Sequence, residues 1–195
     1  SRSMTSLIRA LLAGAALAWA SLPAMASTST AAAAWAELAR PGAIVLFRHA
    51  TAPGVGDPPG LKLNDCATQR NLSDDGRAEA RRLGEQFRSR QVKVDAVLSS
   101  QWCRTRETAR LAFGDRVRDE PAFNSFFGRQ GGERDAQTAR ARAILQKWQG
   151  PGTLVVVTHQ VNITALTGLG AASAEGVVVR PQPDGSLQVL GTLNP

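Results

Sequence analysis

Apolar residues along this chain occur in two kinds of run. Three are nearly continuous: "AIVLF" at 43–47, "VDAVLSS" at 94–100 and "TLVVVT" at 153–158. Runs of that kind predict strands covered on both faces, as in a parallel sheet. Between them the apolar positions recur every three or four residues. Ser73 is a good N-cap for a helix through about Arg90, with Asp74 and Asp75 in its first turn and Ala80, Leu83, Gly84 and Phe87 on one face. A second helix, Trp102 to Phe113, turns Thr105, Thr108, Ala109 and Ala112 inward and carries Arg104 in its first turn. A third, near Arg134 to Gln149, buries Ala141, Ile144, Leu145 and Trp148 before "GPG" at 150–152 ends it. A short helix follows in "VNITALTGL" (161–169), and "GVVVRPQPDGSLQVLGTL" (176–193) reads as a hairpin turning at Asp184-Gly185. Residues 51–70 carry "APGVGDPPG" and no apolar period, which predicts a long loop of the functional kind, and 114–132 read as irregular.

The order β, α, β, α, α, β, α predicts a layered α/β fold with a mostly parallel central sheet. The 195 residues suffice for one such domain, placed here at 41–195. Ahead of it, 27–40 read as a frayed tail running into a short helix that Pro41 and Gly42 end. Residues 1–26 read as a secretory leader: Arg9 precedes "ALLAGAALAWASLPAMA", which closes on Ala24 and Ala26 in a small-x-small cleavage pattern. The run is short for a retained membrane anchor, and residues 1–3, ahead of Met4, read as a cloning remnant. A periplasmic or secreted location is expected.

Composition sharpens this picture in two places. The net charge of +7 falls only to +5 without the leader, which removes Arg2 and Arg9 and no acid, so anionic ligands are favoured. Nucleic acid is not expected among them, because the chain has no tyrosine and only 5% aromatic residues to serve as stacking platforms. Cys66 and Cys103 make an even count in an exported protein, which allows one disulfide; the alternative is two buried thiols. Their spacing excludes a CxxC redox pair.

Ligands of open α/β sheets bind outside the carboxyl ends of the strands. Arg48, His49, Ser99, Ser100 and His159 all fall there, and His49 and His159 are the only histidines of the sequence. A histidine can serve as base, nucleophile or metal ligand. No HExxH or comparable ligand spacing is present, so no metal is expected. Ser99 and Ser100 lack a GxSxG elbow, and Gly54, Gly56 and Gly60 match neither GxGxxG nor a Walker loop. Arginine supplies the remaining option. Arg48 adjoins His49, and Arg104 opens the helix that leaves the second strand. Two guanidinium groups and two imidazoles without a carboxylate form a receptor for a phosphoryl group, and the cations disfavour protonation of His49.

The segments "LFRHA", "QRNLSDDGRAEA", "VLSSQWCRTRETA" and "VVVTHQ", in this order across 43–168, resemble the motifs of the histidine phosphatase superfamily, the phosphoglycerate-mutase-like fold. The resemblance implies a three-layer α/β/α domain and hydrolysis of phosphate monoesters through a phosphohistidine on His49. Arg48, Arg104 and His159 would hold the phosphoryl oxygens, and no cofactor would be needed. Substrates implied are a phosphorylated small molecule such as a sugar phosphate, a glycolipid such as a lipopolysaccharide heptose phosphate, or a phosphoprotein. Arg70 and Ser100 are the expected substrate contacts, and a Cys66–Cys103 bond would tie the long loop to the pocket wall.

The chain departs from the family pattern at three points. Arg-His-Ala stands for Arg-His-Gly. Ser125, beside Asn124 in "EPAFNSFFG", occupies the place of the proton-donating glutamate, and Gln160 rather than an acid follows His159. Glu120 is therefore the candidate general acid, with Asp57 and Glu133 behind it. The chain is short for a mutase that must hold a second phosphate. The rival reading is a module that binds phosphoryl ligands on the same fold without turnover.

Overall fold

The structure, a computed structural model, describes residues 26–129 and 131–195, with side chains from residue 31 onward. The expected leader, apart from Ala26, lies outside the described residues. Helix α1 spans Ala26–Leu38. It begins earlier than the predicted frayed tail allows, since the alanine run at 31–34 has the highest helix propensity of any side chain.

The sheet has strands β1 (Ile44–Arg48), β2 (Val94–Ser99), β3 (Val117–Asp119), β4 (Thr153–Thr158), β5 (Gly176–Pro181) and β6 (Leu187–Leu193), in the order β3-β2-β4-β1-β5-β6. Strands β3, β2, β4 and β1 run parallel, and β5 and β6 add antiparallel neighbours at the β1 side. Helices α2 (Asp74–Ser89), α3 (Cys103–Phe113), α4 (Gly132–Gln146) and α5 (Gln160–Thr167) complete the layers.

Successive residues of β1 feed opposite faces, as a pleated strand requires. Val45 and Phe47 pack with Leu83, Phe87 and Ala109 of α2 and α3 and with Ala34 and Leu38 of α1. Ile44 and Leu46 pack with Ala141, Leu145, Ile163 and Leu166 of α4 and α5. The result is the expected three-layer α/β/α architecture.

Two glycines bring α2 close to its neighbours: a Cβ on Gly84 would overlap the Ala112 carbonyl of α3, and one on Gly76 the Thr51 carbonyl. The segment after His49 is thereby pinned to the start of α2, where Ser73 caps as predicted by accepting from Gly76 N–H at 3.1 Å.

Differences from the sequence reading are local. The irregular stretch contains β3 and a 3-10 turn at Pro121–Phe123. An exposed three-residue edge strand reading Val-Arg-Asp has no apolar pattern to announce it. Helix α4 ends at Gln146, so Trp148 packs from beyond the helix, donating its indole N–H to Gly152 O. The long loop 51–70 has one short 3-10 turn, Cys66–Thr68.

Candidate active site

Parallel register assembles the rim. Arg48 lies opposite Thr158, and Ser99 opposite Val157, so the residues that follow each strand leave the sheet at one level. Backbone bonds continue past the strand ends: His49 N–H donates to Thr158 O and Ser100 N–H to Val157 O, each at 3.1 Å. Two segments more than a hundred residues apart thus bring His49 and His159 together, with ring centroids 5.6 Å apart.

His49 is 3% exposed. Its Nδ1 lies 2.7 Å from Ala50 O, which can only accept, so the hydrogen-bond network assigns the proton to Nδ1 and leaves a lone pair on Nε2. Arg104 Nε–H donates to that Nε2 at 3.3 Å. Burial, followed by the charges of Arg104, Arg48 and Arg70, holds the His49 pKa down at about 3, against the Ala50 bond, which favours the charged ring. At neutral pH His49 is an uncharged imidazole among cations, with the chemistry to act as a nucleophile.

His159 is pushed well below the usual imidazole range, by burial first and then by His49 and Arg104. Its Nε2 lies 2.8 Å from Ser100 Oγ, which already accepts from Trp102 N–H at 3.2 Å. The Ser100 hydroxyl hydrogen is satisfied by pointing at Nε2, an arrangement that puts the His159 proton on Nδ1. That Nδ1 is buried without a partner, and so is Arg48 Nε, while Arg48 Nη1 donates to Ala171 O at 3.0 Å. The other two buried polar atoms without partners among the described residues, Asn71 Oδ1 and Asn162 Oδ1, belong to residues that do not line the pocket. Buried donors are normally satisfied, and a tetrahedral anion beside His49 would satisfy both.

The arginine fork of α3 is already engaged. Arg104 Nη1 and Nη2 donate to the two oxygens of Asp57 at 2.6 and 3.2 Å, and Trp102 Nε1 donates to Asp57 Oδ2 at 3.0 Å. Gripped from behind, the guanidinium presents its Nε–H edge to His49. Burial alone would raise the Asp57 carboxyl, but the bonds from Arg104 and Trp102 outweigh it and hold the group below the usual carboxylate range. Asp57 is therefore an ionised partner of Arg104 and a poor proton donor at neutral pH, a role its position in a loop did not announce.

Several predicted residues take different places. Arg70 lines the pocket, but its guanidinium donates to the carbonyls of Gly56, at 2.6 Å, and Ala52, so it clamps the loop. Ser100 orients His159 and does not line the pocket. Glu120, the candidate acid, accepts from Ala122 N–H at 3.2 Å as the cap of its 3-10 turn and stands outside the pocket lining, as does Glu133 in the first turn of α4. Where the family pattern leads to a carboxylate, Ser125 lines the pocket and accepts from Phe127 N–H at 3.2 Å.

Cys66 and Cys103 are bonded, Cα to Cα 5.8 Å. Beside them Gln69 Oε1 accepts from Cys103 N–H at 2.9 Å. Loop and helix start are thus fastened next to Arg104. Among the described residues no group of three or more His, Cys, Asp or Glu side chains is arranged to hold a metal ion, and no helix is long and apolar enough to cross a membrane.

The residues converge on a cavity of about 750 Å³ whose lining includes Arg48, His49, Arg70, Arg104 and His159. No curated protein matches the chain in sequence. Solved structures do match in fold. The putative phosphohistidine phosphatase SixA from Agrobacterium tumefaciens is 22% identical, with 80% of this chain and 99% of that one covered and a TM-score of 0.54. A protein histidine phosphatase SixA complexed with tungstate is 15% identical over 78% of this chain and 96% of that one, TM-score 0.55. A mycobacterial glucosyl-3-phosphoglycerate phosphatase is 19% identical over 75% and 96%, TM-score 0.54. The sequence profile of the histidine phosphatase superfamily (branch 1) matches residues 44–150, which include the Arg48-His49 pair and Arg104. More than half of the chain fits that profile, and the fold agrees, so the chain belongs to the histidine phosphatase superfamily.

Proposed function

We propose that this protein is an exported phosphatase that hydrolyses phosphate monoesters through a phosphohistidine on His49. The observation that carries the reading is the His49 ring itself: Nδ1 is tied to a carbonyl, and Nε2 is left unprotonated beside Arg104 in an arginine-lined cavity.

In the first step the Nε2 lone pair attacks phosphorus. The bond from phosphorus to the ester oxygen breaks, and its electron pair leaves with that oxygen. In the second, water attacks phosphorus, the N–P bond returns its pair to Nε2, and the water proton passes to the departing phosphate. As the Nε2 lone pair bonds to phosphorus, the Arg104 Nε–H hydrogen bond passes from Nε2 to a phosphoryl oxygen, and Arg48 Nε–H and His159 Nδ1–H, without partners before substrate arrives, take the rest of the charge on the transferring group. The two guanidinium groups supply counter-charge, and neutral His159 supplies a hydrogen bond. Export is supported by the leader pattern at 1–26 and by the disulfide, a bond that persists in oxidising compartments such as the periplasm.

The test is phosphate release from 4-nitrophenyl phosphate by the wild type and His49→Ala, with acid-stable and acid-labile phosphoprotein measured after rapid quenching. We expect at least a ~10³-fold loss in the variant, as for removal of other covalent nucleophiles, and a base-stable, acid-labile phosphoenzyme in the wild type alone. Equal rates in both proteins would instead identify a module that binds phosphoryl groups without turnover.

A further inference from the structure

The mouth of the cavity has a character that phosphoryl transfer alone does not explain. The two most exposed large apolar side chains of the described residues are Val55, 86% exposed, and Phe127, 59% exposed, and both line this cavity. They come from different loops, and those loops meet: a Cβ on Gly56 would stand 3.4 Å from Phe127 Cε1. Folding gains nothing from leaving these two groups in water, and exposed apolar groups gathered at the lip of a reactive pocket mark a surface that a ligand covers.

The polar groups nearby are largely spent on the protein itself. Thr138 Oγ1 donates to Arg134 O, Thr164 Oγ1 donates to Leu169 O, and Ser125 Oγ accepts from Phe127 N–H. Arg134 and Asp135, both in the lining, pair with each other at 3.6 Å. Among the described lining side chains outside the arginine-histidine floor, Gln160 is the one polar group with no hydrogen bond or ion pair to the protein, and the hydroxyls of Ser125, Thr138 and Thr164 keep only part of their capacity.

The carboxylates point the same way. Asp135, paired with Arg134, is the one carboxylate in the lining among the described residues, and Asp57, held by Arg104 and Trp102, stands behind the arginine fork and outside the lining. No buried carboxylate of the described lining is placed to hand a proton to the leaving oxygen, an arrangement that suits a phenol-type oxygen and slows departure of an alkyl alcohol.

We infer that the substrates of this site are phosphate monoesters of aromatic hydroxyl groups, with the ring seated between Val55 and Phe127. This rests on the phosphatase reading above. In the transfer, the P–O bond breaks with both electrons on the aryl oxygen, which leaves as the phenolate and takes its proton from solvent.

The experiment compares kcat/KM for 1-naphthyl phosphate, phenyl phosphate, acetyl phosphate, glycerol 3-phosphate and glucose 6-phosphate. Acetyl phosphate separates leaving-group ability from contact with the lip, because its leaving group is good but too small to span it. The wild type is expected to prefer 1-naphthyl phosphate over both alkyl phosphates by at least a hundredfold. In Val55→Ser and Phe127→Ser, both at exposed positions, the ratio of kcat/KM for 1-naphthyl phosphate to that for acetyl phosphate is expected to fall about tenfold. Alkyl phosphates turned over as well as aryl ones, or a ratio unmoved by both substitutions, would overturn the substrate class and leave the phosphatase reading intact. Failure of the wild type to exceed His49→Ala on every ester would end both.

Discussion

The floor and the mouth of the cavity are built from the same chain by opposite means. On the floor, His49 and His159 are 3% exposed, as is Arg104, and each is bonded to a neighbour that fixes its orientation. At the mouth, Val55 and Phe127 stand in water on loops. The floor side chains follow strands whose register the core enforces, so their relative positions are set by the packing of the whole sheet. The mouth is joined to that scaffold through a few ties: the Arg70 clamp, the Asp57–Arg104 pair and the disulfide. Transfer chemistry needs donors that do not reorganise, whereas selection among leaving groups needs only a surface of suitable character. The two halves can therefore change independently, as long as the ties hold.

Cutting the strongest tie should give the largest effect. Cys66 and Cys103 are 37 residues apart in sequence, and for a loop of that length chain entropy predicts a loss of about 4 kcal/mol when both become serine. Denaturant unfolding of the double variant measures it. A loss below about 1 kcal/mol would mean that Gln69 and Arg70 hold the loop without the bond.

Acid probes the floor alone. His49 and His159 both carry lowered pKa values, so below pH 6.5 the unfolded chain takes up protons that the folded one refuses. Stability from these rings is complete above about pH 6.5 and is lost as pH falls, toward about 3 for His49, the slope approaching about 1.4 kcal/mol per pH unit for each ring. Between pH 6.5 and 5, before most carboxylates titrate, His49→Gln should roughly halve the slope seen in unfolding titrations. An unchanged slope would place the proton uptake elsewhere.

The smallest change loosens the tie behind Arg104. Asp57→Asn keeps the size but weakens the grip on Nη1 and Nη2, and should lower kcat about 10- to 30-fold, roughly 1.4–2 kcal/mol of lost charge-assisted pairing. KM and melting temperature should move little. A melting temperature that drops in proportion to the rate would reduce Asp57 to a loop brace, and a variant faster than wild type would show that the carboxylate obstructs the fork.

Much of the floor was legible beforehand because strand ends are legible. An apolar run such as "LVVVT" ends where its burial ends, and a parallel sheet places such ends together, so Arg48, His49 and His159 could be grouped without coordinates. The Cys66–Cys103 bond could be anticipated from cysteine number and the leader-like pattern at 1–26. Partnerships within loops could not. Arg70 read as a substrate contact, yet it clamps the carbonyls of Ala52 and Gly56; Ser100 read the same way, yet it orients His159. Glu120, proposed as an acid, caps a turn away from the cavity.

Periodicity and strand-end chemistry, which are properties of neighbouring residues, sufficed for the layered fold and for grouping Arg48, His49 and His159 on one rim. The bidentate hold of Asp57 on Arg104, and the approach of Gly56 to Phe127, join segments tens of residues apart through loops with no repeating pattern. Such contacts depend on where the chain goes after leaving the sheet, and only the folded arrangement decides that.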